Sequence, residues 1–161
     1  RKLGKGSVFE QPLTDAMKAF LMLLKNHPEI AGINESVFSV IIFGETYGYG
    51  VQDLQYGLKK IQFRIFDIAI NEKYVDADRL GKLLQEFNGE MVPVLYSGPF
   101  SQEKMKELAN GKTTIMDNDP HMMEGIVIKP VKERRHPEIG RCVLKFISDE
   151  YELRKDGTEH H

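Results

Sequence analysis

Glu124-Gly125-Ile126-Val127-Ile128-Lys129-Pro130 is a short apolar strand with an acid before it and a lysine at its far end. Pro130 lacks an N–H and cannot continue a ladder, so the strand stops there. Side chains alternate across a strand. Val127 and Lys129 therefore share one face, and Ile126 and Ile128 share the other. A plain core strand with two solvated ends would look the same, so the meaning of this stretch depends on its neighbours.

The chain has 161 residues, of which 41% are hydrophobic and 29% charged, enough for one domain with a real core. The apolar run Val40 to Phe43 is far too short to span a bilayer, and no membrane association is expected. No charged-then-apolar leader is visible. Cys142 is the single cysteine, which forbids an intramolecular disulfide and suits a reducing, cytoplasmic setting. A net charge of −2 does not announce a nucleic-acid binder. Basic residues nevertheless cluster over Lys129, Lys132, Arg134, Arg135 and His136.

The chain opens on a basic, glycine-rich stretch in which Gly4-Lys5-Gly6-Ser7 lacks the spacing and the strand of a P-loop. Met17, Phe20, Leu21 and Leu24 recur at helical spacing, so Thr14 to Asn26 reads as a helix capped by Thr14 and closed by Pro28. Val37 to Phe43 reads as a strand buried on both faces. Gly44, Gly48 and Gly50 follow it and mark turns or a close backbone approach. In Ile61 to Ile70 the apolar alternation changes phase after Ile65, which calls for a bulge or for burial on both faces. Asp67 lies within that run and needs a partner. Tyr74-Val75 begins a short return strand. Asp76 caps a second helix reaching Phe87, with Asn88-Gly89 as its stop. Met91 to Tyr96 reads as an edge strand, because Pro93 interrupts it. Ser101 caps a third helix that Gly111 ends, residues 112–123 form a polar loop, and Arg141 to Ile147 form the last strand. Strands and helices mix without βαβ alternation, which predicts an α+β domain with mainly antiparallel sheets flanked by helices.

Four segments occur in order: Phe43-Gly44-Glu45-Thr46-Tyr47-Gly48, Phe63-Arg64-Ile65-Phe66-Asp67-Ile68, the Glu124–Pro130 stretch, and Val143-Leu144-Lys145-Phe146-Ile147-Ser148. Together they resemble motifs III, IIIa, IV and V of the covalent nucleotidyltransferases, the superfamily of polynucleotide ligases and capping enzymes. ATP-dependent RNA ligases look most similar. Gly48 to Leu54 and the ending Arg154 to Glu159 are similar to the Deinococcus-type branch. The Lys-x-Asp-Gly motif that carries the nucleophile in this superfamily is absent. The expectation is that residues 1–161 are the C-terminal part of a single adenylyltransferase domain with an ATP-grasp-like fold. The nucleophile segment and an accessory domain would then lie upstream, and this chain alone would be inactive.

The resemblance implies a ligase joining an RNA 3′-hydroxyl to a 5′-phosphate through lysyl-AMP and RNA-adenylate. ATP or AMP and Mg²⁺ or Mn²⁺ are the implied cofactors. RNA ends, in a nicked duplex or an RNA–DNA hybrid, are the implied partners, with no obligate protein partner. Glu124 would help hold the metal, and Glu45 the ribose or the metal's waters. Phe66 would stack on adenine. Lys129 and Lys145 would bind phosphate oxygens; with Glu124 they form the expected catalytic set. Motif V often has a second lysine where this chain has Ile147; either one lysine does both jobs, or Arg141 or another cation supplies the second. Tyr47, Tyr49 and Gln52 are near the nucleotide motifs without an assignable role. Two other readings stand beside this one: a non-catalytic nucleotide- or RNA-binding relic, and a related DNA-joining or capping enzyme.

Overall fold

One extra residue in the longest strand decides which side chains face the core. The structure, a computed structural model, describes residues 15–27, 36–51, 58–86, 88–115 and 121–153. Strand β1 (Val40–Tyr47) pairs antiparallel with β2 (Gln62–Ile70), and β2 pairs with the short β3 (Lys73–Tyr74). Phe43 lies opposite Asp67 and Gly44 opposite Ile65, so Phe66 is a bulge with no partner. A one-residue insertion reverses the alternation beyond it. Ile68 and Ile70 therefore join Ile65 in one core, with Phe63 packed against it. Arg64, Asp67 and Ala69 are left for the other face. The phase change in the sequence is this bulge, and residues 67–70 are also buried throughout.

Helix α1 (Asp15–Asn26) and helix α2 (Ala77–Glu86) cover the core face. Phe20 and Leu24 of α1 are buried there, as are Leu80, Leu83 and Leu84 of α2. Gly89 N–H donates to the Leu84 carbonyl at 2.8 Å, and Asn88 takes a positive φ of 52°, a helix stop of the kind Asn-Gly supplies. Helix α3 (Gln102–Ala109) is capped by Ser101, whose hydroxyl accepts from Lys104 N–H, and it packs on a second, two-stranded sheet. That sheet pairs β4 (Gly125–Ile128) with β7 (Leu144–Ile147), and a hairpin of β5 (Arg135–His136) and β6 (Gly140–Arg141) lies between them in sequence. A short helix, α4 (Asp149–Glu152), follows β7. The α+β class with antiparallel pairing is what the sequence predicts.

Four details differ from expectation. The first strand starts at Val40, because the N–H groups of Phe38 and Ser39 are both taken by the Asn71 side-chain oxygen and not by a ladder. It is buried on one face only, since Ile41 is exposed. Met91 makes a single parallel bridge to Ile65, after which Pro93 offers no donor and Val94 to Tyr96 run exposed with no strand pairing. Arg141 to Ile147 splits into β6 and β7, because Cys142 N–H turns to the Arg134 carbonyl. Asp76 precedes α2, but its carboxylate accepts from Glu133 N–H and Lys132. Thr14, Pro28, Phe87 and the basic opening lie outside the described residues, as does the Met17 side chain.

Gly125 starts β4 where nothing larger fits. A Cβ there would lie 2.1 Å from the Phe146 carbonyl oxygen. Gly125→Ala is expected to push β4 off β7 and cost about 2 kcal/mol, as overpacking does. Thermal unfolding should register this as a midpoint about 4 to 8 °C lower. An unchanged midpoint would mean that the strand pair tolerates the methyl group.

Candidate functional site

Asp67 lies on the β2 face opposite the core, is 4% exposed, and holds two cations. Lys129 Nζ donates to its Oδ1 at 2.6 Å, and an Arg141 Nη donates to its Oδ2 at 2.8 Å. Lys129 also donates to the carbonyl of the bulged Phe66 at 2.8 Å. The lysine that ends the β4 stretch is thereby fastened to the strand that displays Phe66. Arg141 is held further by Glu133, which accepts from Nε at 2.9 Å and from the other Nη at 2.5 Å. Its guanidinium lies 3.6 Å from the centre of the Tyr74 ring. The bonds to Glu133, then those to Asp67, raise the Arg141 pKa against the opposing effect of burial, so its charge is permanent.

Aromatic contacts continue this cluster across the sheet. Tyr74 stacks with Phe43 at 5.4 Å between centroids, and Phe43 with Phe66 at 6.5 Å. Phe66 is 39% exposed, so a flat face remains open on a fixed strand. Glu45 lies two residues after Phe43 on the same face, directly opposite Arg64. Tyr47, next along that face, donates its hydroxyl to Gln62 at 3.0 Å. Burial raises the Tyr47 pKa, partly offset by Arg64, so the phenol keeps its proton at neutral pH. Tyr49 is exposed, and Gln52 lies outside the described residues.

Lys145 lies opposite Val127 in the β4–β7 pair, on the face that Lys129 continues. Its ammonium pairs with Glu124, which just precedes β4. The Glu124 carbonyl accepts from Ser148 N–H at 2.9 Å, which fixes the backbone that carries the acid. The second Glu124 carboxylate oxygen has no bond among the described residues and is available to a hard cation. No group of three or more His, Cys, Asp or Glu able to hold a metal occurs among the described residues. Below the cluster, the Glu133 N–H and then Lys132 lower the Asp76 pKa, keeping it charged as the anchor of the 131–133 loop.

Phe66 and Lys129 thus meet at Asp67, Glu45 lies further along β1 opposite Arg64, and Glu124 and Lys145 pair on the neighbouring sheet. The sequence exposes Asp67's need of a partner and leaves Glu133 and Tyr74 unnoticed. The only signal for either is a polar residue near a basic run and an aromatic residue in a short strand.

A family model described as RNA ligase matches residues 8–147. Solved structures of Naegleria gruberi RNA ligase are similar in fold. A glutamate-to-alanine variant with ATP and Mn has a TM-score of 0.63 at 21% identity, covering 96% of this chain and 43% of that one. A lysine-to-alanine variant with ATP and Mn gives 0.60 at 21%, over 94% and 41%. A lysine-to-methionine variant with AMP and Mn gives 0.56 at 22%, over 86% and 40%. The chain spans less than half the length of these structures. No curated protein matches it.

Removing the buried carboxylate should leave Lys129 without an acid and Arg141 with Glu133 alone. Asp67→Ala is expected to lower unfolding stability in urea by about 3 kcal/mol or more, the cost of breaking a buried pair. A loss under about 1 kcal/mol would place the cluster with surface ion pairs.

Proposed function

The chain belongs to the RNA ligase family, and on that premise we propose that it is the nucleotide-handling part of an ATP-dependent RNA ligase. The observation that carries this reading is the joint made by Lys129. Its ammonium bonds the Phe66 carbonyl and Asp67 together, fixing a cation to the backbone of the residue whose aromatic side chain is exposed. An aromatic face for a base and cations for its phosphates are what a nucleotide requires. ATP and Mn in the Naegleria structures support the same ligand chemistry here, as ATP or AMP with Mg²⁺ or Mn²⁺.

In this reading Phe66 stacks on the adenine, and Glu45 meets the ribose or the metal's waters. Lys129 and Lys145 bind phosphate oxygens as point charges, where charge grows during transfer. Glu124 contributes its free oxygen to the divalent ion, which neutralises the phosphate when bound. Lys145 reaches phosphate by leaving Glu124, so the pair in the free protein keeps both groups charged and close. The nucleophilic lysine and an accessory domain belong to the protein upstream of this chain, and the chain alone forms no covalent adenylate. The RNA 3′-hydroxyl attacks the adenylylated 5′-phosphate, the phosphoanhydride bond breaks, and the products are a sealed strand and AMP. The Deinococcus-type branch is proposed on sequence alone, because its second signature, Arg154 to Glu159, lies outside the described residues.

The test is α-labelled ATP with Mg²⁺ or Mn²⁺, scoring label that stays on denatured full-length protein. Wild type is expected to retain label. Glu124→Ala and Lys145→Met are expected to fold and to lose at least ~100-fold in rate. Lys145→Arg should recover little, since a planar guanidinium does not replace a compact ammonium. Unlabelled wild type, or labelling of the 161-residue chain by itself, would contradict the reading.

A further inference from the structure

The β5–β6 hairpin carries a charge that the ion-pair network leaves unanswered. Arg135 lies directly opposite Arg141 in the ladder. Residues so paired share a face, with Cβ atoms about 5 Å apart, and like charges there repel. Arg141 is fully compensated: both Glu133 oxygens bind it, and so does one oxygen of Asp67. The other Asp67 oxygen is on Lys129. Glu133 lies two residues before Arg135, on its own face, yet has no oxygen left to give. Three cations on this face thus share two carboxylates. Arg135 is exposed, and among the described residues no acid pairs with it. Lys132 nearby is held by Asp76 and Asp78, whereas Arg135, like the exposed Arg134 beside it, has no acidic partner among the described residues.

A guanidinium kept opposite another guanidinium weakens the free hairpin. Departures from local consistency of this kind are expected at functional or strained positions. We propose that Arg135 binds a backbone phosphate of the polynucleotide. Its planar fork matches a phosphate through two parallel bonds, and the anion supplies the counter-charge that Glu133 and Asp67, already engaged by Arg141 and Lys129, do not. The compact nucleotide belongs to the inward cations, Lys129 and Lys145. Arg135 is farther out, on a hairpin where Arg134 is also exposed, which suits an extended polyanion. The hairpin is fixed at its base through Arg141 and Asp67, so a phosphate on Arg135 is held in register with the reaction centre. This inference rests on the RNA-ligase reading.

The experiment titrates a fluorescein-labelled nicked RNA duplex with the full-length protein at several salt concentrations, by anisotropy. Arg135→Ala is expected to weaken binding roughly 10-fold and to reduce the salt slope by about one phosphate. Lysyl-AMP formation should be unchanged, and thermal stability unchanged or raised. If Arg135→Ala does not fold, Arg135→Gln keeps the stem and serves in its place. Unchanged RNA affinity and slope would overturn the proposal. So would intact RNA binding with slowed adenylylation, which would assign the residue to the nucleotide's phosphates. A wild-type protein that binds RNA but takes no label would contradict the ligase reading alone, and the titration would still decide Arg135.

Discussion

The contact between Asp67 and its two cations is the constraint on which the site depends. A carboxylate in an apolar strand is costly to bury unless both oxygens are satisfied by charged donors. Here Lys129 comes from the end of β4 and Arg141 from β6, so one buried group fastens the hairpin and the second sheet to the first. The Phe66 carbonyl, freed by the bulge, completes the lysine's coordination. Remove the bulge and Asp67 would point into the core, leaving neither cation a place to dock.

The same arrangement leaves the site close to neutral before any ligand arrives. Lys129, Arg141 and Lys145 each have a carboxylate, and Arg135 does not. Ordered cations are favourable for catalysis, because their orientation is set before charge develops on the substrate. Partners that hold them also compete with an incoming phosphate. The competition differs between the two lysines. Lys129 is tied to a nearly inaccessible acid and to a backbone carbonyl, so in the proposed reading it would receive phosphate without leaving its place. Lys145 is half-exposed and tied to Glu124, the acid proposed to meet the divalent ion, so in the proposed reading the ion would release it. The proposed ion and the lysine would thereby be coupled through Glu124.

Periodicity and caps made the helices legible. Leu80, Leu83 and Leu84 declare the buried face of α2, and Ser101 declares the start of α3. The phase change near Phe66 was legible as a bulge or double burial, and Asp67 as a residue in need of a partner. Partners themselves were not legible, since Asp67 and Arg141 lie 74 residues apart and a single sequence carries no pairing. For the same reason Arg141 to Ile147 reads as one strand. Its apolar pattern does not reveal that Glu133 and Asp67 draw Arg141 to one hairpin while Lys145 pairs in another sheet. Met91 to Tyr96 failed differently: its apolar residues suit a strand, but Pro93 leaves them without a ladder. The four segments on which the family resemblance rests point to the family that the match over residues 8–147 shows.

If Asp67 acts on the reaction by holding Lys129, the two residues must be coupled in rate. The most direct measurement is a double-mutant cycle on lysyl-AMP formation by the full-length protein, with Asp67→Asn, Lys129→Met and the pair. Asn keeps the shape of the side chain and removes the charge that orders the lysine. The prediction is that the double variant is no slower than Lys129→Met alone, because Asp67 then has no lysine left to position. Losses that add in full, each residue slowing the reaction by the same factor whether or not the other is present, would contradict it.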